Sequence, residues 1–498
     1  MQSLNLNYYY VLPHIIVAIT GIMSLLFGAF NKQAHRDLVF INVAGIITAG
    51  ASTYRLWNLV AANAKDGPLT AFSGMVVLDY MSLAFIFIFL IVALLSTLLS
   101  LNFLEDENLS PEEFNSLLMF ATVGMMLMAS AGDMVMIFLG LEITSIATYV
   151  LAGYRRTDLR SNESALKYFI LGSFSTAFLL YGMALVYGAT GSTNLEAISS
   201  AIKSGNNLIT NQAMTLELLY VGVGMLLVGF GFKIATAPFH VWTPDVYQGA
   251  PTAVTAFMSS GPKAAGFVAL IRIFVITFGA GYSFQLHNTW VNIVEVLAIL
   301  TMIIGNVVAL SQTDIKRVLA YSSIAHAGYA LIGFLADDWT SVAFYMLTYS
   351  VMTIGAFAVI SVMAGQGDEK TELETWSGMG FKSLGLSIAL LVFMLSMAGM
   401  PLTGGFMGKF LVFKTAWAKG FHTLIIVAVL NSAASVYYYL RPMVVLFFRE
   451  ENETNPTPLM SWTAYVTILL ALAGTFYLGI MPGRLFTLLE VAKDGLIK

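Results

Sequence analysis

Cysteine is absent from the 498 residues. Without thiolates the chain can neither hold an iron–sulfur cluster nor form a disulfide, so a redox cofactor here would need other ligands. Charge is scarce too: 10% of residues are charged and 58% hydrophobic, whereas an ordinary soluble domain carries roughly 25% charged residues. Such a composition cannot cover a soluble surface. The six histidines are scattered, and the paired histidines on facing helices that a membrane haem requires are not evident. No basic run suits nucleic acid, and the formal net charge is −4. The opening MQSLNLNYYYVLPHII has no basic segment and no small-residue cleavage site, so its apolar run is expected to be a retained span.

What the chain does have is apolar runs of the ~20 residues that cross a bilayer, repeated with short polar loops between them. Their positions predict an all-α polytopic membrane protein of about fourteen transmembrane helices. The first six run from Val11 to Phe30, Leu38 to Val60, Met75 to Phe103, Phe114 to Gly132, Met134 to Tyr154 and Ser164 to Gly188. The next five run from Leu216 to Thr236, Thr252 to Ala280, Asn288 to Leu310, Arg317 to Ala336 and Ser341 to Ala364. The last three run from Leu384 to Trp417, His422 to Phe448 and Ser461 to Ile480. No segment has the length or polarity of a separate soluble domain, so residues 1–498 form one transmembrane domain, and the two longer loops are connectors or small interfacial elements. Lys32, Arg36, Arg155, Arg156, Arg160, Lys316, Arg317, Lys370, Lys382 and Arg449 fall in alternate loops, opposite Lys65, Lys203 and Lys419. The positive-inside rule then places both termini outside for an even number of spans.

Two spans share a defect. The seventh is followed at once by Pro238 in KIATAPFH, and the twelfth is interrupted by MAGMPLTGGFMGKF, which contains Pro401, Gly404 and Gly405. Paired interrupted helices are a signature of transporters whose unwound backbone lines a polar site near mid-membrane.

Few spans carry charge in their middle. Glu142, Lys233, Lys263 and Lys409 lie deep, and each would cost at least ~2.5 to 3.5 kcal/mol there unless it faced protein or water and found a partner. These four are candidate functional residues. Asp79, Asp133, Arg272 and Glu295 sit nearer span ends, where snorkelling or a structural ion pair accounts for them, and Lys167 is intermediate. His240 and His326, in polar or kinked surroundings, suit a proton relay; His14, His287 and His422 at span ends suit interfacial roles. Desolvation disfavours a charged amine and a nearby carboxylate restores it, so making and breaking a Lys–Glu contact swings proton affinity. A swing of ~3 pKa units is worth ~4 kcal/mol, comparable to the ~3.5 kcal/mol needed to move a charge against ~150 mV.

LGLEITSIATYVLAGYRR, ALKYFILGSFSTAFLLYGMALVYGATGS, GFKIATAPFHVWTPDVYQGAPT and PLTGGFMGKFLVF closely resemble the antiporter-like membrane subunits of the proton-pumping NADH:quinone oxidoreductase, respiratory complex I. The resemblance runs from about the third span to the thirteenth in long ungapped phrases. It implies about fourteen helices with two inverted five-helix repeats, here at 114–280 and 288–448, and broken helices 7 and 12. By position it also implies a glutamate–lysine pair at Glu142 and Lys233, a connecting lysine at Lys263 and an exit group at Lys409. Lys167 and His326 correspond to further family positions. A lysine at 409 and an end at DGLIK soon after the last span point to the N-type branch.

The resemblance further implies a proton-translocating subunit without a redox centre of its own. NADH, FMN, iron–sulfur clusters and quinone would belong to partner subunits, and the partners would be the other membrane subunits, especially the antiporter-like subunit M and the small membrane subunits, together with lipid in a bacterial inner membrane. A rival assignment is a multisubunit cation/proton antiporter of the Mrp kind, whose homologous chains have the same Lys and Glu pattern. A membrane redox enzyme with its own cofactor is disfavoured by the missing cysteines.

Overall fold

With no water in the bilayer interior, long apolar runs can satisfy their backbone only as helices or closed barrels, and helices are what the computed structural model contains. It describes residues 7–31, 35–63, 67–204, 212–279, 284–365, 370–451, 455–459 and 461–494; Lys32, Lys65 and the last four residues of DGLIK, used in the orientation and branch arguments, lie outside them.

The chain starts with α1 (Leu12–Phe30) and α2 (His35–Ala62), followed by a hairpin of β1 (Leu69–Ala71) and β2 (Val76–Leu78). Then come α3 (Tyr80–Asp106), α4 (Pro111–Ala129), α5 (Met134–Ala152), α6 (Leu159–Thr190) and a short α7 (Leu195–Ser204). The middle is α8 (Gln212–Ile234), α9 (Thr243–Gly249), α10 (Thr252–Leu270), α11 (Phe284–Ala309), α12 (Ile315–Leu335) and α13 (Trp339–Met363). The chain closes with α14 (Leu384–Ala398), α15 (Gly404–Ala418), α16 (His422–Phe448), α17 (Trp462–Ile480) and α18 (Pro482–Asp494).

Twelve of the described helices are long and apolar enough to span a membrane. The span expected as the fourth is α4, a 19-residue helix with Glu112 and Glu113 in its first turn, and the twelfth is split into α14 and α15. The protein is a multi-pass membrane protein. The third span is shorter than expected. Phe72, Ser73 and Gly74 take positive φ and turn the chain into a hairpin, so Met75–Leu78 is turn and strand, and helix begins only after Asp79, whose carboxylate caps it through Ser82. The loop after α6 contains the amphipathic α7.

The bundle has two unlike ends. At one, loop arginines and carboxylates pair: Arg155 with Glu107, Arg156 with Glu113, Arg449 with Glu374 and Lys382 with Glu451. At the other, the hairpin packs on the turns around Ser130 and Asn194, and Tyr8 near the N-terminus stacks edge-on against Phe72. Arg272 and Asp79 form a buried bidentate pair at this hairpin end, with both contacts 2.9 Å, and Arg272 Nε donates to Ala129 O at 2.8 Å. Asp133 caps α5 and accepts from Thr193. These two carboxylates and the arginine lie near span ends, where the sequence led to the expectation of a structural ion pair or snorkelling, and their hydrogen bonds tie neighbouring helix ends together. Arg272 lies in a π-helical continuation of α10, Ile271–Thr277. His14 departs from expectation: it is buried and lies 3.2 Å from Ser130 Oγ, tying α1 to α4.

Candidate functional site

Both expected breaks are present. After α8 the chain runs irregularly through Ala235, at φ +62°, and a cis Ala237–Pro238 bond before α9 resumes. After α14 it turns at Gly399, at φ +95°, and Leu402, at φ +73°, before α15. A helix end inside a membrane leaves carbonyls without backbone donors. Each break lies beside one of the candidate lysines.

Lys233 occupies the last turn of α8. Its Nζ donates to Ser145 Oγ at 2.9 Å and to the Tyr149 hydroxyl at 3.2 Å, both on α5, and it lies 5.6 Å from the Tyr149 ring centre and 5.7 Å from that of Phe232. Glu142, one turn before Ser145, instead accepts from Thr176 Oγ1 of α6 at 2.9 Å. Glu142 and Lys233 thus share a wall of α5 without forming an ion pair in this arrangement.

Lys263 is fully buried on α10, next to Pro262. Its ammonium donates to Ser323 O at 2.7 Å and to the Ser323 hydroxyl, both on α12. Lys409, buried on α15, donates to Met397 O at 2.8 Å, Ala398 O at 3.1 Å and Ser432 Oγ at 2.9 Å. Met397 and Ala398 end α14, so Lys409 fills the carbonyls that the break exposes and lies at the negative end of that half-helix. Its ammonium also sits 4.8 Å over the Tyr329 ring. Among the described residues, no carboxylate stands within ion-pairing distance of Lys233, Lys263 or Lys409.

His326 is the centre of a polar cluster between α12, α13 and α16. Nδ1 is 2.6 Å from the Tyr345 hydroxyl and Nε2 is 3.1 Å from the Tyr439 hydroxyl, which in turn contacts Ser322 Oγ. Beside it, Tyr438 donates to Asn306 Oδ1 at 2.9 Å, and Asn306 Nδ2 reaches Asn431 at 3.3 Å. Since Ser322 and Ser323 are adjacent, the Lys263 and His326 clusters meet on one turn of α12. The tyrosines were missed in the sequence because aromatic residues in membrane chains usually pack or anchor. The available signal was the run YSSIAH, polar on two successive turns of an otherwise apolar span.

Lys167 is not brought to these groups. It pairs with Glu163 and Asp245, each at 2.7 Å, at the loop-arginine end. His240 sits in the break after α8, half-buried, with its carbonyl accepting from Thr243 N. Glu295 is half-buried on α11. Among the described residues, no group of three or more His, Asp or Glu side chains could hold a metal ion.

Residues 131–474 match the family model described as NADH:quinone oxidoreductase/Mrp antiporter, TM. The chain is 43% identical over 495 residues to the NADH-quinone oxidoreductase subunit N of Trichlorobacter lovleyi, covering 99% of this chain and 97% of that one. A chain of respiratory complex I from Thermus thermophilus superposes with a TM-score of 0.77 at 34% identity, covering 96% of this chain and 99% of that chain. A chain of the Mrp complex from Dietzia superposes at 0.82 over 99% of this chain and 98% of the other, but at 18% identity, which speaks for the fold alone. Phrase-level similarity over nearly the full length, not the shared fold, separates the two branches: the chain belongs to the antiporter-like membrane subunits of NADH:quinone oxidoreductase, in the subunit N branch.

Proposed function

We propose that the chain carries protons across a bacterial inner membrane as the N-type subunit of an NADH:quinone oxidoreductase, with Glu142 and Lys233 as the switchable pair. Lys263 is the connecting group, Lys409 the exit group, and His326 joins Lys263 to the second half through Ser322, Tyr439 and Tyr345. Lys167 stands at the mouth of this path rather than in it. The observation that carries the reading is the solvation of the three interior lysines: each ammonium is held by neutral oxygens. A proton without a fixed counter-charge can be handed on when a carboxylate or water approaches or withdraws.

Two inverted repeats, 114–280 and 288–448, suit the order of the helices. Counted from α4 the fourth membrane helix is the broken α8, and counted from α11 the fourth is the broken α14–α15. The two series start at opposite ends of the bundle. The loop-arginine end faces the cytoplasm and both termini face the periplasm. NADH, FMN, iron–sulfur clusters and quinone belong to partner subunits, and the neighbours in the membrane are the antiporter-like subunit M, the small membrane subunits and lipid.

The test is Lys233→Ala in the intact complex. Inverted membrane vesicles are expected to assemble the complex in normal amount but to lose NADH-driven proton uptake. Native uptake would reject the assignment.

A further inference from the structure

The short α9 closes the loop-arginine end of the seventh span, and groups from three other helices grip it. Asp245 accepts from Lys167 Nζ of α6 at 2.7 Å and from Arg317 Nη1 of α12 at 2.8 Å. The same Arg317 nitrogen reaches Gln248 Oε1 at 3.0 Å. Ser164 Oγ of α6 donates to Val246 O at 3.0 Å, Lys316 Nζ of α12 donates to Ala250 O at 2.6 Å, and Thr255 Oγ1 of α10 donates to Tyr247 O at 3.0 Å. Asp245 is therefore the point where a cation from the first half of the chain and one from the second half meet.

Two residues further on, Tyr247 is fully buried. Its hydroxyl lies 3.4 Å from Ser323 Oγ, and Ser323 supplies both oxygens that hold the Lys263 ammonium. One seven-residue helix thus touches a surface ionic junction and the shell of an interior lysine.

We propose that Asp245 is a positioning residue for the Lys263 site: its tie to Lys167 and Arg317 sets the placement of α9, and Tyr247 passes that placement to Ser323 and Lys263. The inference rests on Lys263 being part of the proton path. Stability alone does not explain the junction. Its side chains are partly exposed, 41% for Lys167, 39% for Asp245 and 27% for Arg317, and exposed ion pairs contribute little to folding. Each cation also keeps a second partner, Glu163 for Lys167 and Gln312 for Arg317. Partial burial pushes the Asp245 carboxyl up, but the hydrogen bonds from Lys167 and Arg317 outweigh it and hold the carboxyl below its ordinary range. It therefore stays ionised at neutral pH and acts as a fixed tie.

The test uses the intact complex in native membranes and reads NADH-driven proton uptake per assembled complex for Asp245→Asn, Asp245→Glu, Tyr247→Phe, the double variant Asp245→Asn/Tyr247→Phe, and Lys263→Ala. Asp245→Asn is expected to lower uptake about five-fold, Asp245→Glu to restore most of it, and the double variant to be no worse than the poorer single, because both act along one path. Native uptake in Asp245→Asn alongside lost uptake in Lys263→Ala would overturn this inference alone, as would a double variant whose loss is the product of the single losses. Native uptake in Lys263→Ala would overturn the proton path and this inference with it. Should Asp245→Asn fail to assemble, Arg317→Gln and Lys167→Gln each remove one strut, and native uptake in both overturns the proposal.

Discussion

Lys233 rests on Ser145, 2.9 Å from Nζ to Oγ, one helical turn beyond the glutamate with which it is expected to exchange charge. Ser145 Oγ itself donates to Leu141 O, leaving its lone pairs for the ammonium. Glu142 is meanwhile occupied by Thr176. The contact between Lys233 and Glu142 is open, and two hydroxyls define how far apart its halves are held.

This arrangement sets the same expectation for the two hydroxyls. Ser145→Ala removes a hydrogen bond to a charged donor, worth ~1.5–3 kcal/mol, and leaves Lys233 with Tyr149 and Glu142 to choose between. Thr176→Val frees Glu142. Both favour the closed pair, so both are expected to slow NADH-driven proton uptake several-fold while leaving assembly intact, and their combination is expected to be slower than either. Uptake by inverted vesicles, normalised to subunit content, checks this; native rates in both variants would remove the open pair from the mechanism.

Lys409 leads to a prediction about charge sign. Its ammonium caps Met397 O and Ala398 O at the end of α14, where the half-helix presents partial negative charge. Lys409→Glu would set a carboxylate against two carbonyl oxygens, and Lys409→Met would leave Met397 O without its donor, at a cost of ~1–3 kcal/mol for a buried unsatisfied group, and Ala398 O with Ser432 Oγ alone, at 3.2 Å. The expected order of retained activity is Lys409→Arg above Lys409→Met above Lys409→Glu, and the thermal stability of the detergent-purified complex is expected to follow the same order. A glutamate variant as stable as the native protein would show that the break is solvated by something other than Lys409.

Much of this organisation was legible in the sequence, for reasons that differ from element to element. Apolar runs without competing polar groups fix spans well, so α5, α13, α16 and α17 fall close to their expected ranges. Pro238, Pro401 and the paired Gly404 and Gly405 announced both breaks, since each removes a donor or a Cβ where a continuous helix needs one. The hairpin at β1–β2 was hidden because Met75–Leu78 is as apolar as the helix it precedes. The hydrogen bonds of the lysines could not be read at all. Ser145 is near Glu142 in sequence, but Ser323 and Ser432 come from other helices, and only packing chooses among the many buried serines and threonines. Asp245 escaped notice for a related reason: it lies in a loop-like PDVYQG segment, and its partners are 78 and 72 residues away.

The crossing of α14 and α15 allows a steric prediction independent of charge. A Cβ placed on Gly405 would lie 1.9 Å from Ser396 O, a backbone atom that cannot retreat without moving the end of α14. That end carries the two carbonyls that hold Lys409. Gly405→Ala is therefore expected to lower both the amount of assembled complex and proton uptake per complex, whereas Gly385→Ala, with open space around its Cβ, is expected to leave both unchanged.

The buried Arg272–Asp79 pair separates structural charge from functional charge. Both side chains are almost wholly buried, at 3% and 5% exposure, and their hydrogen bonds tie α10 to the start of α3. Removing one member strands the other, a loss of ~3–5 kcal/mol, so Asp79→Leu and Arg272→Leu are each expected to cut the amount of subunit in the membrane sharply. The double replacement Asp79→Leu/Arg272→Leu deletes both charges and is expected to recover much of that loss. Complex that does assemble with the double replacement is expected to pump at close to the native rate per complex, because neither residue touches the lysines or His326. Quantifying the subunit by immunoblot beside proton uptake separates the two effects. Normal assembly with lost uptake would move the pair from the scaffold into the proton path.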